Sequence, residues 1–179
     1  LQVGVSVTPG IDNVSALALL QKYPDQAALA GVVETEGLSV DADIWQDDAM
    51  NLAEKADAVL DASIAKGIDI ISMDDLGAEL ERQVITMYQQ YPENRIRLKS
   101  ISGGGDKGQR ILSAWTHYDG SKTEQMQQAS GQAPSLAWKI LGEVKCNGVG
   151  DNKNILIELN IGTGHHQEIQ VVGNGDWCI

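Results

Sequence analysis

The stretch QVGVSVTPGIDNVSALALLQK, residues 2–22, indicates the fold class because it joins a strand pattern to a helix pattern. Residues 2–8 alternate between apolar and polar side chains and are rich in valine, which is typical of a β-strand. A proline-glycine pair interrupts this strand. Asp12 or Asn13 can then cap a helix that extends to about Lys22. The stretch therefore predicts a strand followed by a helix.

The same alternation of strand and helix patterns continues toward the centre of the chain. Short apolar runs predict strands at residues 28–33, 68–73 and 95–101, and helical periodicity predicts helices at residues 44–66 and 77–90. Strands and helices that alternate in this order imply a parallel sheet with right-handed crossovers. We therefore expect an α/β fold with an N-terminal parallel sheet flanked by helices.

The pattern changes after the glycine run at residues 103–105. Residues 109–118 fit either a helix or a strand, and the polar segment 119–134 predicts a linker or an exposed loop. Three further strands are predicted, at residues 136–145, 154–161 and 166–172. We therefore expect an α/β domain over residues 1–118 and a C-terminal antiparallel β meander over residues 135–179, which can also pack on the same sheet as one domain.

The overall composition excludes several classes of partner. The chain has 179 residues, with 25 acidic against 13 basic side chains and a formal net charge of −12. This charge repels the phosphates of nucleic acids and of anionic membrane surfaces, so we expect neither as a partner. The hydrophobic fraction of 42% is typical of a folded domain. No stretch reaches the roughly 18 apolar residues that a membrane-spanning helix needs.

The two cysteines and the first residue bear on where the protein works. Cys146 and Cys178 both lie in the C-terminal quarter. In an oxidising compartment they could form a disulfide that fastens the C terminus, and the alternative is two unrelated thiols in a reducing cytoplasm. The first residue is Leu1 rather than methionine, which favours removal of a signal peptide over a shortened chain. We therefore expect a secreted or extracellular protein with this disulfide.

The segment VSVTPGIDNVSALALL, residues 5–20, resembles the opening of the nucleoside hydrolase family. That family begins with a strand, the pattern D-x-D-P-G-x-D-D and a helix rich in alanine and leucine. LAGVVETEGLSV, residues 29–40, resembles its second strand and glycine loop, and residues 91–105 look like a later strand. The resemblance covers residues 2–115. It implies the family's α/β fold, with a pocket at the carboxyl ends of the strands.

In that family, the aspartates of this pattern bind Ca²⁺, which activates the water that attacks the N-glycosidic bond. Here Ser6, Thr8 and Asn13 stand at three of the four aspartate positions, and only Asp12 is retained. This largely neutral group would bind Ca²⁺ weakly and offers no suitable general base. We therefore expect no cofactor, and Ca²⁺ at Asp12 only if an acidic site is functional. The ligand-binding residues that we predict for a small sugar or nucleoside are Thr8, Asp12, Asn13, Glu34 and Gly37.

One acidic pair can replace the lost carboxylates. Asp74 and Asp75 follow the predicted third strand, which would place them at the same edge of a parallel sheet as Asp12.

Three classes of function stay open. We expect a non-catalytic binding or effector-type protein. The alternatives are a divergent hydrolase of N-glycosidic bonds that uses these three aspartates, and a structural or assembly protein that associates through its C-terminal strands.

Overall fold

The structure is a computed structural model that describes residues 9–101, 107–145, 151 and 153–162. The helices are α1 (Val14–Lys22), α2 (Gln26–Thr35), α3 (Leu52–Lys66), α4 (Met73–Gln90), α5 (Lys122–Ser130) and α6 (Ala133–Val144). The strands are β1 (Gly10–Ile11), β2 (Arg95–Ser100), β3 (Gln109–Leu112) and β4 (Ile155–Asn160). Short 3₁₀ helices lie at Ala42–Trp45 and Trp115–His117.

The four strands form one antiparallel sheet in the order β1-β4-β2-β3. β2 pairs with β4 along its whole length, from Arg95 opposite Asn160 to Ser100 opposite Ile155. β3 pairs with the other edge of β2, and β1 adds two residues beyond β4. Buried and more exposed side chains alternate along β2 and most of β4, so one face of the sheet packs against helices.

The predicted N-terminal parallel sheet is wrong, because every pairing in the described sheet is antiparallel. Residues 28–33, predicted as a strand, lie in α2, and residues 68–72 form an irregular connection into α4. A short apolar run does not distinguish a buried strand from a helix by periodicity. Asp25 favours a helix here, because its side chain accepts a hydrogen bond from the Ala28 N–H at 2.8 Å and so caps α2.

The predicted C-terminal antiparallel meander is wrong as well. Residues 136–144, predicted as part of a strand, lie in α6, which carries a proline in its first turn. Most of the predicted linker over residues 119–134 is α5, which begins at the capping box of Ser121 and Glu124. The predicted strand at residues 154–161 is confirmed as β4, but it pairs between β1 and β2.

Other predicted elements have mixed outcomes. The strand at 95–101 is confirmed as β2, and the helix at 77–90 is confirmed within the longer α4. The helix predicted over 44–66 is divided, because Asn51 and Glu54 form a capping box that begins α3. The strands predicted at 2–8 and 166–172 lie outside the described residues.

The buried apolar side chains form two clusters that meet at α1. The sheet core lies between β2, β3 and β4 and the helices α4, α5 and α6, with Tyr88 and Ile96 fully buried. The helical core is formed by α1, α2 and α3, with Leu19 and Val59 fully buried. Val14, at the start of α1, belongs to the sheet core, whereas Leu19 belongs to the helical core. The first helix therefore connects the two cores.

The close approach of β1 to β4 can be tested at Gly10. A Cβ atom there would lie 2.8 Å from the carbonyl oxygen of Ile157. We expect Gly10→Ala to lower the free energy of unfolding by roughly 1–3 kcal/mol, because backbone must shift to relieve the overlap. Urea denaturation measures this change.

The matched control is Gly31→Ala, since nothing lies within 4 Å of a Cβ atom built at this exposed glycine of α2. Alanine should raise the free energy of unfolding there by roughly 0.5–1 kcal/mol, because it loses less backbone entropy in a helix. Equal stability of Gly10→Ala and the parent protein would contradict the close approach of the two strands.

Candidate functional site

A small polar cavity lies where the two cores meet. It is bounded by the start of α1, the part of α3 from Asp57 to Ile64, the connection that precedes α4 and the segment that leads into β4. Its volume is about 40 Å³, enough for about two or three water molecules. The polar side chains that line it are Ser15, Asp57, Asp61, Ser63, Asp69, Asp151, Lys153 and Asn154.

Two buried serines, Ser15 and Ser63, line this cavity, and Ser63 Oγ donates to the carbonyl oxygen of Leu60 whereas Ser15 is different. Ser15 lies in the first turn of α1 and is only 5% exposed. Its backbone N–H donates to Asn154 Oδ1 at 3.2 Å, but its Oγ has no hydrogen-bond partner among the described residues. A buried hydroxyl without a partner costs free energy, so such groups mark places where water or a ligand binds.

Asn154 fixes the position of this serine. Besides accepting from the Ser15 N–H, its Nδ2 donates to the backbone carbonyl of Asp12 at 2.7 Å. One side-chain amide from the approach to β4 therefore holds both sides of the turn that begins α1. The side chain of Asn13, the residue before the helix, makes no capping hydrogen bond, so Asn154 supplies this support from a distant part of the chain.

The acidic side of the cavity is centred on Asp57. Glu54 and Asp61 lie one turn before and after it on α3, and Asp12 contributes a further negative charge nearby. Burial, followed by the negative charges of Asp61, Asp12 and Glu54, raises the pKa of Asp57 to about 6. At neutral pH the carboxylate is therefore ionised although burial and the neighbouring negative charges disfavour its charge. A bound cation would stabilise it.

Lys153 and Asp69 form an ion pair at the edge of the cavity. Lys153 is 7% exposed, and its Nζ lies 2.6 Å from Asp69 Oδ2. Burying an ammonium without such a partner would be very unfavourable. Among the described residues, the lining holds four carboxylates and this one ammonium, which gives a formal charge of −3. The cavity therefore favours a positively charged occupant.

The structure does not bring most of the predicted ligand-binding residues to this cavity. Glu34 and Gly37 are exposed at the C-terminal end of α2, where Lys66 Nζ donates to the carbonyl oxygen of Gly37 at 3.1 Å. Gly37 has a φ of +56°, which favours glycine. Asp12 and Asn13 precede α1 and do not line the cavity, although the charge of Asp12 acts on Asp57.

The predicted replacement carboxylates, Asp74 and Asp75, lie in the first turn of α4. The Asp75 N–H donates to Ser72 Oγ at 3.0 Å, and its carboxylate accepts from the Ser72 N–H at 2.8 Å. Lys22 Nζ lies 3.3 Å from the same carboxylate. Burial opposes ionisation of Asp75, but the hydrogen bonds from Ser72 and Lys22 outweigh it and lower its pKa. Ser72 and Asp75 therefore form the capping box that begins α4.

Other predicted residues, Thr8, Cys146 and Cys178, lie outside the described residues. Across residues 9–101, 107–145, 151 and 153–162, no group of three or more histidine, cysteine, aspartate or glutamate side chains is placed to hold a metal ion. Over the same ranges, no helix has the length and apolar content to cross a membrane.

The residues that build the cavity were partly detectable in the sequence. Asp57 and Asp61 have the spacing of one helix face, and Ser15 interrupts the apolar start of α1. Asp69 and Lys153 carry no local signal, because only the tertiary fold brings them together.

No protein-family model matches the chain, and no curated protein or solved structure shows significant similarity to it. The resemblance to nucleoside hydrolases stays a prediction.

The charge repulsion around Asp57 predicts a pH-dependent change in stability. Its pKa is about 6 in the folded protein against an ordinary value of 3.8. The penalty for ionising it is absent below pH 3.8, grows as the pH rises toward 6 and is complete above that value. We expect Asp57→Asn to raise the free energy of unfolding at pH 7.5 by about 1–2 kcal/mol, allowing for solvent screening of a half-buried group.

The rise in the free energy of unfolding caused by Asp57→Asn should shrink toward zero at pH 4, because Asp57 of the folded parent protein is also neutral there. Urea denaturation at the two pH values measures the difference. Asp48→Asn is the control, because Asp48 is exposed in the loop before α3 and its change should be small at both values. A gain of equal size at pH 4 and pH 7.5 would contradict the charge repulsion.

Proposed function

We propose that this protein is a non-catalytic binding protein whose ligand carries a primary ammonium group. The observation that supports this most directly is the Oγ of Ser15, which is buried without a partner among the described residues and lines a cavity of formal charge −3. A secreted location, predicted from the sequence, stays a prediction alongside it.

The polar groups of the cavity match the chemistry of an ammonium ion. An ammonium has three N–H donors, and the carboxylates of Asp57 and Asp61 and the hydroxyl of Ser15 are acceptors. Hydrogen bonds between ionised partners are stronger than those between neutral ones. A cation there also offsets the mutual repulsion of the carboxylates on α3. Binding should therefore satisfy the buried hydroxyl and the crowded carboxylates together.

The size of the cavity limits the part of the ligand that enters. A volume of about 40 Å³ accommodates a group of a few heavy atoms, such as an ammonium and its first carbon. A sugar or nucleobase ring would have to stay outside. The ligand is therefore expected to reach in with an unbranched amine.

A hydrolase of N-glycosidic bonds is the second candidate. The observation that favours it is the pKa of Asp57, since a carboxyl group with a pKa of about 6 can exchange protons near neutral pH, as a general acid or base must. Release of free base from a panel of nucleosides, lost in Asp57→Asn, would support this candidate over a binding protein. No release over many hours at micromolar enzyme would exclude it.

Methylammonium and tetramethylammonium distinguish hydrogen-bonded recognition from simple charge attraction. We expect methylammonium to bind at pH 7.5 and tetramethylammonium to bind at least tenfold more weakly, because it has no N–H donor and is larger than the cavity. Affinity for methylammonium should fall between pH 7.5 and pH 5 as Asp57 takes up a proton. Amide chemical shifts at low ionic strength, followed during titration, measure each affinity.

Ser15→Ala tests the same site without disturbing the fold. The Oγ has no partner among the described residues, so the variant should be at least as stable as the parent protein. Its affinity for methylammonium should fall about tenfold, the value of one hydrogen bond to a charged group. Ser39→Ala, at an exposed loop position, is the control. Unchanged affinity in Ser15→Ala would contradict the proposal.

A further inference from the structure

A wider groove adjoins the cavity on its outer side. Its volume is about 420 Å³, and it is more open to solvent than the cavity. Asp69, Ile70, Ile71 and Lys153 line both spaces. The two spaces are therefore neighbours, and an extended molecule that reached from one into the other would pass these residues.

The charge changes sign between the two spaces. The groove is lined by the ammonium groups of Lys22 and Lys153 and, among the described residues, by the carboxylate of Asp69 alone, so its formal charge is +1. The described lining of the cavity, which shares Asp69 and Lys153 with the groove, has a formal charge of −3. A molecule with a cationic and an anionic end would therefore be held in one orientation, with the cation inside.

Lys22 is the cation that can contact such a ligand most readily. Its Nζ donates to the carbonyl oxygen of Ile70 at 3.2 Å and lies 3.3 Å from Asp75 Oδ2. The side chains of Lys22 and Asp75 are 40% and 31% exposed, and ion pairs of this kind contribute little to stability. Lys22 can therefore exchange Asp75 for a ligand carboxylate at little cost.

Building on the ammonium-binding function proposed above, we propose that the groove binds a carboxylate of the same ligand between Lys22 and Lys153. The ligand is then a zwitterionic amino acid whose ammonium and carboxylate are separated by a chain of methylene groups. Ile70 and Ile71, which line both spaces, provide the apolar surface for that chain.

The test compares two ligands that differ by one carboxylate, n-pentylammonium and 6-aminohexanoate. We expect 6-aminohexanoate to bind the parent protein about tenfold more tightly at low ionic strength, as measured by isothermal titration calorimetry. Glycine, whose charged groups are too close together to reach both spaces, should bind no better than methylammonium.

Lys22→Met should remove the tenfold gain and leave the affinity for n-pentylammonium unchanged. Lys139→Met, at an exposed position of α6, is the matched control and should keep the gain. Lys22→Gln gives a second test if the methionine variant does not fold, which a thermal melt would reveal.

The outcomes separate this inference from the proposed function. If n-pentylammonium binds but the carboxylate gives no gain, or the gain survives in both Lys22 variants, the groove does not bind the anionic end and the ammonium site stands. If neither ligand binds, the ammonium site and the inference are both overturned.

Discussion

The side chain of Asn154 joins the start of α1 to the segment that leads into β4. The rest of the structure depends on this contact. The side-chain amide accepts from an N–H in the first turn of α1, which a helix start leaves without an intrahelical partner, and it donates to the carbonyl oxygen of Asp12 just before the helix. Because α1 carries residues of both cores, this amide acts together with the packing of α1 on α3 and α4 to position the helical core against the sheet core. It also sets the position of Ser15 against the acidic face of α3.

The site combines features that do not favour stability. A hydroxyl is buried without a partner among the described residues, and carboxylates are crowded along one helix face. The Lys153–Asp69 pair is the exception, because it neutralises a buried ammonium at short distance. These groups, which lower stability when they have no partner, are the ones that a ligand of complementary charge can satisfy.

The sequence predicted those elements whose signals are local. β2 alternates cleanly between polar and apolar residues, β4 is a short apolar segment whose burial alternates over most of its length, and α4 keeps helical periodicity over most of its length. The apolar runs that became α2 and α6 are ambiguous, since the decision rests on one capping aspartate and one proline. The predicted parallel sheet depended on reading the α2 run and residues 68–73 as strands, and the predicted meander depended on reading the α6 run as one. The acidic face of α3 was visible as a spacing, but its meeting with Ser15 and Lys153 depends on long-range contacts that no local pattern encodes.

The location of the cavity between two hydrophobic cores has a mechanical consequence. Its walls come from α1, α3, the connection before α4 and the approach to β4, so an occupant touches parts of the molecule that otherwise hold together mainly through α1. Such an occupant would act as a cross-link. A ligand that contacts both cores would couple their unfolding, because opening of either core would then also break contacts to the ligand.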